Sequence, residues 1–394
     1  MKYAFLLYKN MTYLGAQEII SLARPLAYNR IDNLLIAETE GNKAERNKSL
    51  EKLSQRLAYT NSIYSLIFES NYEDFISNMG SFDWGSVYKG SFCIRVHKIG
   101  MMNVSTLKNN PIKNTTYTKK KANIKNEFNK DHAKNTNLKN TENYNAKTPV
   151  IDKLYTEKKL ASFIWRKVKN PKVDLESPKT HIDIFFTEKR IYCCLLLKKM
   201  DEYYESRRSH LRPRPSPISL HPRLAKAMVN LTGAKEEETI LDPFCGSGGI
   251  LIEAGLMGLK TEGFDISRKM VWKSMVNLRH YGIKDCNFGV KDFFKIKKKC
   301  NYIVADFPYG LNTSIMGNVR VTRNNRKQIK KYLEKFYSGI IKKLEKILLK
   351  KAVVIFPSYF NYRKFIKKSK LKLLNEFDSY VHGNLTRKIV VLEK

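Results

Sequence analysis

Four carboxylates between residues 242 and 306 carry the chemistry that can be read in this chain. Asp242, Asp265, Asp292 and Asp306 each stand where an apolar run breaks, in the strings ILDPFCGSGG at 240–249, EGFDI at 262–266, VKDF at 290–293 and IVADFPYG at 303–310. An apolar run that stops at an acid and a turn reads as the carboxyl end of a buried strand. In an open α/β sheet such ends border the ligand crevice, so the four acids are expected to converge on one cleft. The glycines at 246–249 let a ligand approach the backbone at the start of a helix. Their spacing is not the G-x-G-x-x-G of dinucleotide sites, and Asp242 just before them would repel a pyrophosphate. A ligand carrying an amino group suits the loop better, such as the methionine part of S-adenosylmethionine. Asp265 is placed to accept from the two ribose hydroxyls of an adenosyl ligand. Asp292 would accept from adenine N6 while Phe293 packs on its ring. Any one of these acids alone would read as a loop carboxylate or a helix cap. The ordered set makes Asp242, Phe244, Cys245, Gly246, Ser247, Gly248, Asp265, Ile266, Asp292 and Phe293 the candidate cofactor site, with Cys245 there as a packing residue rather than a nucleophile.

Asp306-Phe307-Pro308-Tyr309 is the candidate catalytic turn. It resembles the (Asp/Asn)-Pro-Pro-(Tyr/Phe) turn of methyltransferases that act on exocyclic amines. The lone pair of such an amine is delocalised into the base. Two acceptors on its hydrogens, here the Asp306 carboxylate and the Phe307 carbonyl, pull the nitrogen toward tetrahedral geometry and free that pair. Pro308 holds the residue before it extended, which aims the carbonyl. Tyr309 would stack on an extruded base, an interaction worth roughly 1–3 kcal/mol.

These residues require strands, and the pattern supplies them. Strand signals at 239–241, 261–265, 287–290, 302–306 and 352–357 alternate with helices at 249–257, 268–281 and 328–349, the alternation of a doubly wound parallel sheet. The tail, 371–381 and 386–392 around Gly383-Asn384, reads as an antiparallel hairpin. Upstream, 1–75 reads as a small α/β unit with strands at 3–8, 33–37 and 62–68 and helices at 16–26 and 44–57. A second α/β stretch, 76–200, has strands at 90–97, 173–175, 180–186 and 191–197 and a basic helix at 153–168. In the strand at 90–97, Arg95, His97 and Lys98 lie on or beside the polar face, as a solvated edge or a phosphate contact. Residues 103–148, rich in Asn, Lys and Thr, read as a flexible insert. The Pro-rich stretch at 207–217 reads as a linker with Arg207, Arg208, Arg212 and Arg214 exposed.

The chain has 394 residues and a net charge of +36, of which 101–150 supplies +7. The excess elsewhere favours a polyanionic partner. No apolar run reaches the ~20 residues of a membrane span. The N-terminus has too short an apolar core for a signal peptide. Six cysteines without a CxxC pair imply a reduced, cytoplasmic protein with no structural metal.

Taken together, 207–231 (with HLRP at 210–213 and SLHPRLA at 219–225), 242–254 and 306–314 make the C-terminal half resemble the archaeal tRNA guanine-10 N2-methyltransferase family. The N-terminal half resembles the ferredoxin-like plus THUMP arrangement of tRNA-modifying enzymes, most visibly at 92–98 and 173–197. The resemblance implies domains at 1–75 (ferredoxin-like), 76–200 (THUMP, RNA-binding) and 219–394 (a Rossmann-like methyltransferase with a mostly parallel seven-stranded sheet), joined by a linker at 201–218. It implies S-adenosylmethionine as cofactor and tRNA as partner. Its product would be N2-methyl- and then N2,N2-dimethylguanosine. The protein would be a monomer, with a small activator subunit still compatible. Phe307 departs from the family by replacing its first proline, so the carbonyl is kept and one fixed φ is lost. Two other readings stay open: an N2-guanine or N6-adenine methyltransferase acting on another tRNA or rRNA site, and an inactive RNA-binding protein.

Overall fold

A computed structural model describes residues 1–40, 43–101, 155–200, 203–217, 219–308, 326–382 and 385–394. The insert at 103–148 and Tyr309 therefore lie outside the described residues. The chain divides into two compact units, one formed by Met1–Tyr64 with Leu197–Lys394, the other by Ser65–Leu196.

The first unit opens with β1 (Lys2–Leu7), α1 (Thr12–Ala23), β2 (Ala27–Ile31), β3 (Leu34–Glu38), α2 (Lys43–Arg56) and β4 (Thr60–Ser70). β4 continues past Tyr64 into the second unit. The strands run β2-β3-β1-β4, with β1 and β3 antiparallel. Strand β2 carries no sequence signal because its residues are exposed or half-buried.

The second unit contains α3 (Phe75–Ser81), β5 (Phe92–Lys98), α4 (Glu157–Trp165), β6 (Thr180–Phe186) and β7 (Ile191–Lys199), the last running on into the first unit. β5 and β6 are parallel, β6 and β7 antiparallel. Phe92, Ile94, Ile182, Ile184 and Phe186 pack on one side of this sheet against Phe75, Leu160 and Ile164. Cys93, Arg95, His97, His181 and Asp183 therefore share the other side, as the period of two demands. The expected strand at 173–175 is only a single bridge between Val173 and Phe92.

The remainder of the first unit is α5 (Pro222–Leu231), β8 (Thr239–Asp242), α6 (Gly249–Leu256), β9 (Lys260–Asp265), α7 (Arg268–His280), β10 (Cys286–Val290), β11 (Cys300–Asp306), α8 (Arg326–Ile347), β12 (Leu348–Pro357), α9 (Tyr362–Ile366), β13 (Lys372–His382) and β14 (Leu385–Glu393). The sheet order is β10-β9-β8-β11-β12-β14-β13. Its first five strands are parallel, and β14 is antiparallel to both neighbours. The order reverses between β8 and β11, where the helices on the two sides of the switch part and leave a crevice. Asp242 and Asp306 end those two strands.

Helix α1 joins the two segments of the first unit. Ala16 and Ile19 face the N-terminal core, while Leu14 packs with Leu224, Met228 and Leu231 of α5. Between them Glu18 is fully buried and accepts from Ala58 N (3.1 Å), Tyr59 N (2.9 Å) and Asn230 Nδ2 (2.7 Å). Burial pushes its carboxyl up to about 7, against the pull of those donors. A folded-state value above the ordinary 4.5 means the native state holds the proton more tightly than the unfolded chain. The stability that this group contributes is therefore fully present below pH 4.5 and is lost as pH rises through about 7. Glu18→Gln should remove this slope, worth about 3 kcal/mol across the window, in urea unfolding followed at successive pH values. Equal slopes in variant and parent would show that Glu18 does not titrate there.

Candidate active site

The cofactor loop follows β8. Gly246 and Gly248 adopt φ of +52° and +87°, a region in which a side chain is strained. A Cβ on Gly248 would also lie 2.6 Å from Ser274 Oγ of α7, so the loop is pressed onto that helix.

Three of the four acids are electrostatic neighbours. Asp242 is 1% exposed. Burial raises its carboxyl well above the usual range, the charges of Asp265 and Asp306 add to this, and the Phe244 N–H (3.1 Å) opposes it. Burial also raises Asp265, against N–H donors from Ser267 (2.8 Å) and Gly246 (3.0 Å), one on each oxygen. A carboxylate oxygen has two lone pairs, so each keeps capacity for a hydroxyl. Asp292 caps a 3₁₀ turn at Phe293–Lys295 by accepting from Phe294 N at 2.9 Å.

Phe293 is not where the sequence suggested. Its ring is 2% exposed and packs on Phe244 at 5.2 Å, so it belongs to the core beneath the site. Next in the chain to Asp265, Ile266 is 61% exposed; Phe294, two residues after Asp292, is 41% exposed with its ring against Phe336 of α8. Cys245 packs with Leu251, Ile252 and Leu278. Burial, then Asp242 and Asp265, keep its thiol protonated, and a thiol is a poor nucleophile.

At the end of β11 the Phe307 ring is 1% exposed, edge-on to Phe244 (5.3 Å) and tilted on Phe356 (5.2 Å). The residue standing in place of a rigid proline is thus anchored by its side chain. Tyr337 of α8 adds a second anchor, donating its hydroxyl to the Pro308 carbonyl at 2.7 Å. Nothing in the sequence near 306–309 points to Tyr337, because only the return of α8 over the sheet brings it there.

The linker arginines depart from the expectation of exposure. Arg207 makes a two-pronged pair with Glu253 of α6, Nε–Oε1 2.9 Å and Nη2–Oε2 3.0 Å, and Glu253 is 1% exposed. Arg212 is 3% exposed and donates to the Arg207 carbonyl and Ser219 Oγ. Both guanidinia hold the linker to the sheet domain, and neither is placed to meet a phosphate. Arg208 pairs with Glu205 at 2.7 Å. Arg214 is exposed, its cation 4.4 Å from the Trp272 ring centre.

In the second unit Arg95 pairs with Glu157 at 3.4 Å and donates to the Leu175 carbonyl. His97 stacks on Phe185 at 5.0 Å with its Nε2 3.4 Å from Asp183. Lys98 is half-buried. His181, which the sequence did not single out, contacts the other Asp183 oxygen at 3.0 Å. Asp183 and then Cys93 hold its imidazole up to about 9, so the ring keeps its proton at neutral pH as the partner of Asp183.

The anchoring of the turn is open to test. Phe307→Ala should cost about 3–5 kcal/mol of stability and Tyr337→Phe about 1 kcal/mol, read from urea unfolding. A loss below about 1 kcal/mol for Phe307→Ala would mean that the ring does not anchor β11.

The comparisons with known proteins agree with this geometry. The family described as RMKL-like, methyltransferase domain, matches residues 209–388. A second family, described as DNA methylase, matches 47–275 and stops short of Asp306. A tRNA (guanine(10)-N2)-dimethyltransferase of Pyrococcus abyssi is 36% identical over 56% of this chain and 64% of its own length. One of Methanothermobacter thermautotrophicus is 36% identical over 57% of this chain and 64% of its own. The chain thus spans just under two thirds of the length of these two relatives. A "Probable tRNA (guanine(10)-N2)-dimethyltransferase" of Methanothermococcus thermolithotrophicus is 37% identical over 44% of this chain and 98% of its own length. Among solved structures, TrmN from Thermus thermophilus aligns over all of both chains at 14% identity and a TM-score of 0.47, a likeness too loose to build on. With 37% identity to a relative covered almost end to end, and the strand-end acids, glycine loop and Asp306 turn assembled on one sheet, this chain belongs to the family of the tRNA (guanine(10)-N2)-dimethyltransferases.

Proposed function

We propose that this protein transfers methyl groups from S-adenosylmethionine to the exocyclic N2 of guanosine 10 in tRNA, giving N2-methyl- and N2,N2-dimethylguanosine. The observation that carries the reading is the crowding of Asp242, Asp265 and Asp306 at the switch point, where burial is costly for the charged forms of Asp242 and Asp265. A ligand with an ammonium and a sulfonium offsets that cost, whereas a phosphate-bearing dinucleotide would add to it. The donor set therefore fits S-adenosylmethionine, which supplies an activated methyl group when bound.

The protein's own part is position and charge complementarity. Asp242 faces the amino end of the cofactor, and Asp265 accepts from the ribose. Ile266 and Phe294 flank the adenine. Asp306 and the Phe307 carbonyl accept from the two N2 hydrogens of an extruded guanine, so that the nitrogen lone pair turns toward the methyl group. Asp306 takes the proton released. Arg95, His97, Lys98 and His181 in the second unit, with Arg208 and Arg214 on the linker, make the phosphate contacts. No described helix is long and apolar enough to cross a membrane.

Incubation with a tRNA pool and labelled S-adenosylmethionine, followed by nuclease digestion and mass spectrometry, should place the label on N2 of guanosine 10. Label on adenine N6, or on guanine elsewhere, would replace the assignment. Asp306→Ala should abolish transfer while cofactor and tRNA affinities stay within a few-fold of the parent. Asp265→Ala should weaken cofactor binding by about 1–3 kcal/mol, the scale of lost hydrogen bonds to a charged group. Affinity for tRNA should fall steeply with salt, since each phosphate contact releases counterions.

A further inference from the structure

Helix α7 holds two segments that the chemistry must bring together, and one side chain touches both. Asn277 is fully buried. Its Oδ1 accepts from the Arg214 N–H at 2.9 Å, and its Nδ2 donates to the Arg214 carbonyl at 3.0 Å and to the Ser247 carbonyl at 3.0 Å. Both donors and an acceptor lone pair of one amide are thereby used on main chain. Arg214 belongs to the linker, and Ser247 lies in the cofactor loop between the two positive-φ glycines. Trp272 lies under the Arg214 guanidinium, and Lys273 donates to the Pro215 carbonyl at 2.8 Å. One turn before Asn277, Ser274 is the residue against which Gly248 is pressed. The same helix begins at Ser267, whose N–H is held by Asp265.

We propose that Asn277 is a positioning residue that couples occupancy of the linker by tRNA to the shape of the cofactor loop. The coupling rests on the reading of this chain as a tRNA methyltransferase. The physical reason is the stiffness of the path. Arg214 offers its cation outward on the face of Trp272, while its own N–H and C=O are clamped by Asn277. A phosphate that draws on the guanidinium therefore loads the amide that also fixes Ser247. The loop has little freedom to absorb that load elsewhere, because Gly248 cannot move toward Ser274. A bound polyanion that firms the linker thus firms the loop, and linkage makes the effect reciprocal, so cofactor tightens tRNA by the same factor. Ser247 lies in the loop that the functional reading sets at the amino end of the cofactor, which puts the coupling there rather than at its adenine.

The test is a binding cycle read by calorimetry. S-adenosylhomocysteine is titrated into the full-length protein alone and with a saturating unmodified tRNA transcript that carries guanosine at position 10. In the parent protein tRNA should tighten the nucleoside by about fivefold or more, within the usual range of coupling between sites. Asn277→Leu, which keeps the volume and removes all three bonds, should bring that ratio below about twofold. A purely structural role would weaken binding in both arms and leave the ratio at its parental value, and that result overturns the proposal. Arg214→Ala, at an exposed position and so independent of any folding defect in the buried variant, should lose most of the coupling at a tRNA concentration raised until the variant is saturated; a ratio still at its parental value overturns the proposal. A parental ratio near one, in a protein that methylates tRNA, also overturns it. Absence of methylation by the parent would instead count against the functional reading.

Discussion

Like charges brought into a dry crevice repel one another and lose their hydration, and the catalytic half of this protein is built to hold such charges. The switch between β8 and β11 places Asp242 and Asp306 on adjacent strand ends, and β9 brings Asp265 beside them. The backbone stabilises what the topology imposes. N–H groups of Phe244, Gly246 and Ser267 all point at carboxylate oxygens, in geometry that turns after the strands provide. The remaining imbalance is one that a positively charged ligand would offset.

Holding that crevice open requires stiff walls, and aromatic packing supplies them. Phe244, Phe293, Phe307 and Phe356 form a chain of ring contacts beneath the acids. Ring pairs of this kind add to burial because their edges and faces attract. The same contacts explain how a phenylalanine serves where a proline would fix the backbone directly. A proline restrains φ locally, whereas the Phe307 ring restrains the backbone through its neighbours, and Tyr337 completes the restraint from above. The rigidity of the turn has moved from covalent geometry into packing.

A second stiff region lies where α1 meets α5. Glu18, Asn230 and the main chain at 56–59 tie the N-terminal segment to the sheet domain. The Arg223 cation adds contacts with Tyr8 at 4.2 Å and Tyr204 at 4.8 Å. The linker joins the same body through Arg207 and Arg212. A stretch that proline content marks as irregular is therefore ordered by two of its arginines, Arg207 on the Glu253 carboxylate and Arg212 on the Arg207 carbonyl and Ser219 Oγ.

What could be read in the sequence was local. Strand ends at Asp242, Asp265 and Asp306, the glycine turn and the helices between them follow from periodicity and breakers, and these set both the parallel sheet and the identity of the acids. The withdrawal of Arg207 and Arg212 into the fold and the inward place of Phe293 could not be read this way. Each depends on which surface the side chain meets once the sheet closes, and residue type and spacing are silent on that. Tyr337 and Asn277 were invisible for the same reason: each acts through a partner more than a turn away in the chain, whereas His181 shares a strand face with Asp183 two residues on. Sequence alone determined which groups this protein brings to its chemistry, because charge and periodicity are properties of neighbours. Only the tertiary structure decided which of those groups stay open to a ligand and which are consumed in holding the others, because burial and hydrogen bonding depend on residues far apart along the chain.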